Sequence, residues 1–303
     1  MIRFSICSAA VAGFLAPAAL AQDVAVLTPY LSSVTTNEMI EVFTDTADAR
    51  GWSTNVVDTR GDFGQLASRV EDVVNAGVDA IVFASVDPSQ IQDQVDAAAS
   101  AGIPVIAIDG AVAPGVTVNV TSDNFELGTQ LSTFLFDQLG GEGNIVKFYH
   151  SAHPGVRQRE LALDAALEAN PGISVIADHY VNVPGPIDDS RIAMETILRQ
   201  HGDAIDGVWA AWDEPAVGAL IAVQADMPDS AMLIAGIDGN PQAVELIGDC
   251  TNLIGSVRQD FTAMSTMAAD ALQTVLEGGS PDAQELYAPS ILITRDSVGA
   301  DCG

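Results

Sequence analysis

Basic residues are scarce in this chain. Lys and Arg number 11 against 41 Asp and Glu, giving a formal charge of −30. So acidic a protein repels nucleic acid and anionic membrane surfaces. It does not suit an anionic ligand unless a local cation overrides the field. Cysteine is nearly absent, with 3 in 303 residues, and the four histidines (His150, His153, His179, His201) lack metal spacing such as H-E-x-x-H. No metal site is therefore expected. There is no G-x-G-x-x-G after a strand, no P-loop and no G-x-S-x-G elbow, which leaves a dinucleotide site, a phosphate-binding loop and a serine hydrolase unsupported. No nucleophile–base pair can be assembled. Asp213 beside Glu214 mimics paired catalytic carboxylates, but adjacent acids at a helix start more often cap it. The chain is read as neither an enzyme nor a cofactor carrier.

What is present begins with an export signal. Met1-Ile2-Arg3 is a short positive start, Phe4 to Leu20 is apolar and Ala-rich, and Ala19-Leu20-Ala21 supplies a small-x-small cleavage pattern. This is the anatomy of a secretory signal peptide over residues 1–21. Gly13 and Pro17 interrupt the stretch, which argues against a membrane anchor. Cys7 leaves with the signal. Cys250 and Cys302 remain, and in an oxidising compartment they either pair or stay as two buried thiols.

The mature chain alternates continuous apolar runs with helix-period segments. Strand candidates are Val24–Thr28, Asn55–Asp58, Ala80–Ser85, Pro104–Asp109 and Val116–Val120. A second series is Asn144–Tyr149, Ser174–Asp178, Gly207–Ala211, Leu233–Ile237, Leu253–Val257 and Ser290–Thr294. Runs without polar alternation mark strands covered on both faces, as in parallel sheets between helices. Between them, Phe63, Leu66, Val70 and Val73 share one helical face, as do Leu127, Leu131 and Leu135, and later Met264, Met267 and Ala271. The pattern predicts an α/β fold of two doubly wound parallel-sheet lobes, since eleven strands exceed one comfortable open sheet. Thr121-Ser122-Asp123-Asn124 is a polar break and a candidate crossover.

In open parallel sheets a ligand sits beyond the carboxyl ends of the strands. Those ends carry Tyr30 and Ser33, Asp109, Tyr149-His150 leading to Arg157, Trp212-Asp213-Glu214, Asp238-Gly239-Asn240, and Arg258-Gln259. Carboxylates accept from neighbouring hydroxyls, a guanidinium donates in a fork, and an indole or phenol face covers the C–H face of a ring. The set fits a small, uncharged, polyhydroxylated ligand. Taken singly, Asp-Gly and Asp-Glu after strands are equally turn and cap residues.

These residues carry a family likeness. Gly102-Ile103-Pro104-Val105-Ile106-Ala107-Ile108-Asp109, Thr121-Ser122-Asp123-Asn124 with Gly128, Trp212-Asp213-Glu214 with Gly218-Ala219-Leu220, and Gly236-Ile237-Asp238-Gly239-Asn240-Pro241 follow in order. In these the chain resembles the periplasmic sugar-binding proteins of the ribose-binding type, which feed ABC transporters and share the type I periplasmic binding protein fold. The resemblance implies two lobes joined by a three-segment hinge: residues 22–122 with 260–288, and residues 123–259 with 289–303. Cys250 and Cys302 would then share the second lobe, which supports their pairing. It implies ligand contacts at Asp109, Asp238 and Gln259, and at Arg157, with Arg159 the less favoured choice. Trp212 replaces an expected asparagine, and small hydroxyl side chains replace aromatic walls near Tyr30 and Ser33. The implied function is periplasmic capture of a small neutral sugar or polyol by a monomer that delivers it to an ABC permease. A sensory module presenting its closed form to a receptor is the alternative.

Overall fold

The computed structural model describes residues 21–302. The export signal lies, but for Ala21, outside the described residues. In chain order the first strands are β1 (Asp23–Thr28), β2 (Ser53–Asp58), β3 (Ala80–Ala84), β4 (Val105–Ile108) and β5 (Val118–Thr121). Then come β6 (Gly143–Tyr149), β7 (Ile173–Tyr180), β8 (Gly207–Ala210), β9 (Leu233–Asp238), β10 (Leu253–Gln259), β11 (Glu285–Tyr287) and β12 (Ser290–Thr294). They form two six-stranded sheets, ordered β11-β5-β4-β3-β1-β2 and β12-β10-β9-β8-β6-β7. Every pairing is parallel except β10 with β12. The two orders are the same once β6 is set equivalent to β1, so the chain builds one topology twice. Strands β3, β4 and β5 are buried at every residue, which is why they read as unbroken apolar runs.

Among the described residues nine α-helices cover the sheets: α1 (Val34–Ala49), α2 (Phe63–Ala76), α3 (Gln92–Ser100), α4 (Asn124–Gln138), α5 (Pro154–Ala169), α6 (Pro186–His201), α7 (Asp213–Asp226), α8 (Pro241–Gly248) and α9 (Phe261–Leu276). Several start on a side-chain cap, with Asp62, Asp123, Asn240 and Asp260 each accepting from the backbone N–H three residues on. Pro occupies the first turn of α5, α6 and α8, where its missing N–H costs nothing. The first sheet is packed on both faces. Met39, Phe43, Met264 and Leu272 from α1 and α9 fill one side, and Leu66, Val70 and Val95 from α2 and α3 fill the other. Leu131, Leu135, Trp209 and Leu220 lie in the core of the second lobe.

Among the described residues the chain crosses between sheets three times, after β5, after β10 and between β11 and β12. The crossings are tied to one another: Ala288 N donates to Thr121 O at 2.8 Å, and Asp260 N to Pro289 O at 3.3 Å. Thus α9, late in sequence, packs on α1 and the first sheet. The strand that leads into the third crossing, β11, has no counterpart among the strand candidates of the sequence. β11 is three residues long and lies at the sheet edge, too short to give a periodic signal. Among the described residues no helix is long and apolar enough to cross a membrane.

Candidate functional site

The carboxyl ends of the two sheets face each other across a cavity with about 510 Å³ of empty space, part of it open to solvent. Both lobes line it. Tyr30 and Ser33 follow β1, Ser85 follows β3 and Asp109 follows β4; His150 and His153 follow β6, Trp212 and Glu214 follow β8, and Asp238 and Gln259 end β9 and β10. Asp109 and Asp238 end equivalent strands of the two sheets, and both have positive φ, 52° and 129°. Short polar side chains tolerate this backbone best, and it turns each carboxylate from the strand end into the cleft.

One polar network fills the floor on the second lobe. Arg159 of α5 is 2% exposed. Its Nε donates to Asn124 Oδ1 at 2.8 Å and its Nη1 to Ala211 O at 2.7 Å. Nη1 also lies 3.9 Å from Asp238 Oδ1, which accepts from Gln259 Nε2 at 2.8 Å. Burial pushes the Asp238 carboxyl well above its ordinary value; Arg159 opposes the shift and Asp213 adds to it. Close helix packing sets the position of Arg159. A Cβ on Gly128 of α4 would sit 2.7 Å from Arg159 Cα.

Among the described residues three polar contacts join the lobes inside the cleft. Tyr30 Oη lies 3.3 Å from His150 Nε2. Ser33 Oγ donates to Glu214 Oε2 at 2.8 Å, an oxygen that also accepts from Trp212 Nε1 at 3.2 Å. His153 Nε2 lies 3.4 Å from Asp109 Oδ2. Burial lowers the pKa of His150 and raises those of Tyr30 and Glu214. All three shifts favour the uncharged form in a cleft short of water. The indole of Trp212 stands edge-on to His150, with ring centroids 6.3 Å apart.

Of the residues singled out from sequence, Asp109, Asp238, Gln259, Trp212, Tyr30 and Ser33 line the cavity. Two do not. Arg157 points away and bonds Asp87, with Nη2 2.5 Å from Oδ2, while Arg159, the less favoured arginine, faces the cavity. On α5 Arg159 shares a face with the buried Val156 and Leu163, spaced i, i+3 and i+7 in the chain. An arginine on an apolar stripe is the signal that separates the two. Asp213 is wholly buried behind the cavity wall. It accepts from Ser256 Oγ at 2.6 Å and from Asn240 N at 2.9 Å, and burial pushes its carboxyl up to about 7. It therefore shapes the loop after β9 rather than meeting a ligand. A Cβ at Gly236 would come within 2.6 Å of Asp213 Oδ1, so glycine there makes room for the carboxylate. His150 is legible in the sequence as the end of a strand and Glu214 as a helix cap, whereas His153, in the loop beyond, shows there only as a histidine without metal spacing. Thr36 and Ser85, whose hydroxyl oxygens lie 3.0 Å apart, also line the wall.

Chemically, the cavity offers three carboxyl groups, one fixed guanidinium, hydroxyls and aromatic faces contributed by two bodies that meet at a hinge. Such an arrangement defines a two-lobed solute-binding protein. Residues 24–280 match the periplasmic binding protein domain family, and the chain belongs to it. The ribose import binding protein of Bacillus subtilis is 32% identical over 239 residues, covering 77% of this chain and 74% of that protein. A xylitol-binding protein of Mycolicibacterium smegmatis is 30% identical over 241 residues, covering 78% and 67%. Among solved structures, an ABC transporter solute-binding protein from Agrobacterium vitis with bound allitol shares the fold. Its TM-score is 0.86 at 24% identity, covering 92% of this chain and 97% of that one. These relatives are solute-binding proteins, not enzymes.

Proposed function

We propose that the protein captures one small, uncharged sugar or polyol between its lobes and delivers it to an ABC permease. In this reading the signal peptide is cleaved after Ala21, the mature protein works in the periplasm as a monomer, and Cys250 pairs with Cys302. The observation that carries the reading is the convergence of Asp109 from one lobe with Arg159 and Asp238 from the other on a single cavity. Asp109 and Asp238 accept from ligand hydroxyls, Arg159 donates to hydroxyl or ring oxygens, and Trp212 and Tyr30 cover apolar C–H faces. Gln259 holds Asp238 in place, and Ser33 closes on Glu214. Ligand bridging both lobes selects the closed form and expels water from the cleft. The permease then reads closure, which no empty open form displays.

A thermal-shift screen tests this. The panel is D-ribose, D-xylose, D-allose, xylitol, allitol and cyclic polyols. A specific ligand raises the melting temperature in a saturable, concentration-dependent way. A panel in which no compound does so contradicts the reading.

A further inference from the structure

Arg157 has no part in the cavity, yet its surroundings are built. Its Nη1 donates to Ser151 O at 2.8 Å and lies 3.3 Å from Ala152 O, which fixes the guanidinium against the loop before α5. Its Nη2 reaches across to the other lobe, 2.5 Å from Asp87 Oδ2. Asp87 is 4% exposed and is itself held, accepting from Ser89 N at 3.0 Å and Ser89 Oγ at 2.6 Å. Beside this pair, Gln90 Nε2 donates across the same gap to Ala152 O at 2.9 Å. Asp87, Gln90 and Arg157 all lie off the cavity wall.

Their place in the topology matters. The hinge runs through the ends of β5 and β10. Asp87 follows β3, two strands from β5, and Arg157 follows β6, three strands from β10. Strand spacing puts each residue on the order of 10 Å or more from the hinge strands. An attraction at that distance acts on a long lever arm, and it exists only when the lobes are shut.

We propose that Asp87 and Arg157 form an interlobe clamp that sets affinity through the closed-state population without touching ligand. The inference rests on the binding function proposed above. Arg157 is thus a positioning residue. Opening parts a preformed ion pair, so the clamp slows ligand release and leaves ligand choice to the cavity.

The test uses the full-length mature protein with the panel above. Variants are Arg157→Gln, Arg157→Lys, Asp87→Asn and the double Asp87→Asn/Arg157→Gln; asparagine preserves the cap on Ser89. Arg157→Gln is expected to weaken every bound compound by about threefold, mainly through faster dissociation, with their rank order unchanged. Arg157→Lys recovers part of the loss, and the double variant binds no worse than the weaker single. Wild-type affinity falls as salt is raised, and that of Arg157→Gln falls less. Unchanged affinity, an altered rank order, or losses that multiply in the double variant overturn the clamp while leaving the binding function intact. A wild-type protein that binds none of the panel overturns the binding function and the clamp with it.

Discussion

The phenol of Tyr30 meets the imidazole of His150 across the cleft, with 3.3 Å between Oη and Nε2. The two residues follow β1 and β6, the equivalent strands of the two sheets, so the contact joins matching points of a duplicated topology. Its polarity can be assigned. His150 Nδ1 lies 2.9 Å from Val181 O, and a carbonyl only accepts, so Nδ1 carries the proton. Burial holds the ring neutral, which leaves Nε2 as the acceptor and the Tyr30 hydroxyl as the donor.

Tyr30→Phe therefore strands a buried imidazole nitrogen only when the lobes are closed. Ligand affinity is expected to fall by about tenfold while the ligand-free melting temperature barely moves. Titration calorimetry and a thermal melt on the same sample check both. Unchanged affinity would show that this contact does not help closure.

The two arginines of α5 are expected to part company on mutation. Arg159→Met leaves Asn124 Oδ1 and Ala211 O without their donor and Asp238 without its nearby cation, costing about 3–5 kcal/mol of folding stability. Arg157→Gln removes a partly exposed contact and costs about 1 kcal/mol or less. Urea unfolding of the two variants separates them; equal losses would contradict the burial argument.

Much of this architecture is legible in the sequence. Strands such as β3 and β4 are buried on both faces, and their unbroken apolar runs carry that in composition alone. β11 was not legible, because three residues at an edge hold too little pattern. The end of a buried strand is a place that sequence can locate, and Asp109 and Asp238, read from such ends, line the cavity. Facing is harder. Arg157 and Arg159 lie two residues apart on one helix, on different faces, and the choice between them needed the stripe through Val156 and Leu163. Asp213 and Glu214 are adjacent at a helix start, where one turn sends the first behind the wall and the second into the cleft. Contacts between lobes, such as Ser33 with Glu214, depend on two chain segments 181 residues apart and leave no local trace.

Asp213 makes stability depend on pH. Burial pushes its folded carboxyl up to about 7, against about 3.9 in an unfolded chain. A carboxyl shifted upward favours folding when protonated, and that contribution is lost as pH rises through the folded value. The melting temperature of the wild type is expected to fall between about pH 5 and about pH 8, and that of Asp213→Asn to fall less. Thermal melts across that range decide it. Parallel curves for the two proteins would mean the carboxyl stays ionised throughout.

Cys250 and Cys302 lie at disulfide-forming separation, with 5.5 Å between their Cα atoms, and are 52 residues apart in sequence. Closing a loop of that length stabilises the fold by as much as about 4 kcal/mol in the chain-entropy account. Reductant is expected to lower the melting temperature of the oxidised protein and to leave Cys302→Ser unaffected. If the wild type is indifferent to reductant, the pair is not formed or contributes nothing.

The claim on which the rest depends is that one ligand is gripped from both sides. Titration calorimetry of the wild type, Asp109→Ala and Asp238→Ala against the compound selected by the thermal screen measures it directly. The account predicts one ligand per chain and a loss well beyond tenfold for each variant, since each aspartate belongs to a different lobe and leaves buried partners unmet (about 2–5 kcal/mol). Full affinity in either variant would mean that a single lobe holds the ligand, and the clamp-like mechanism would be wrong.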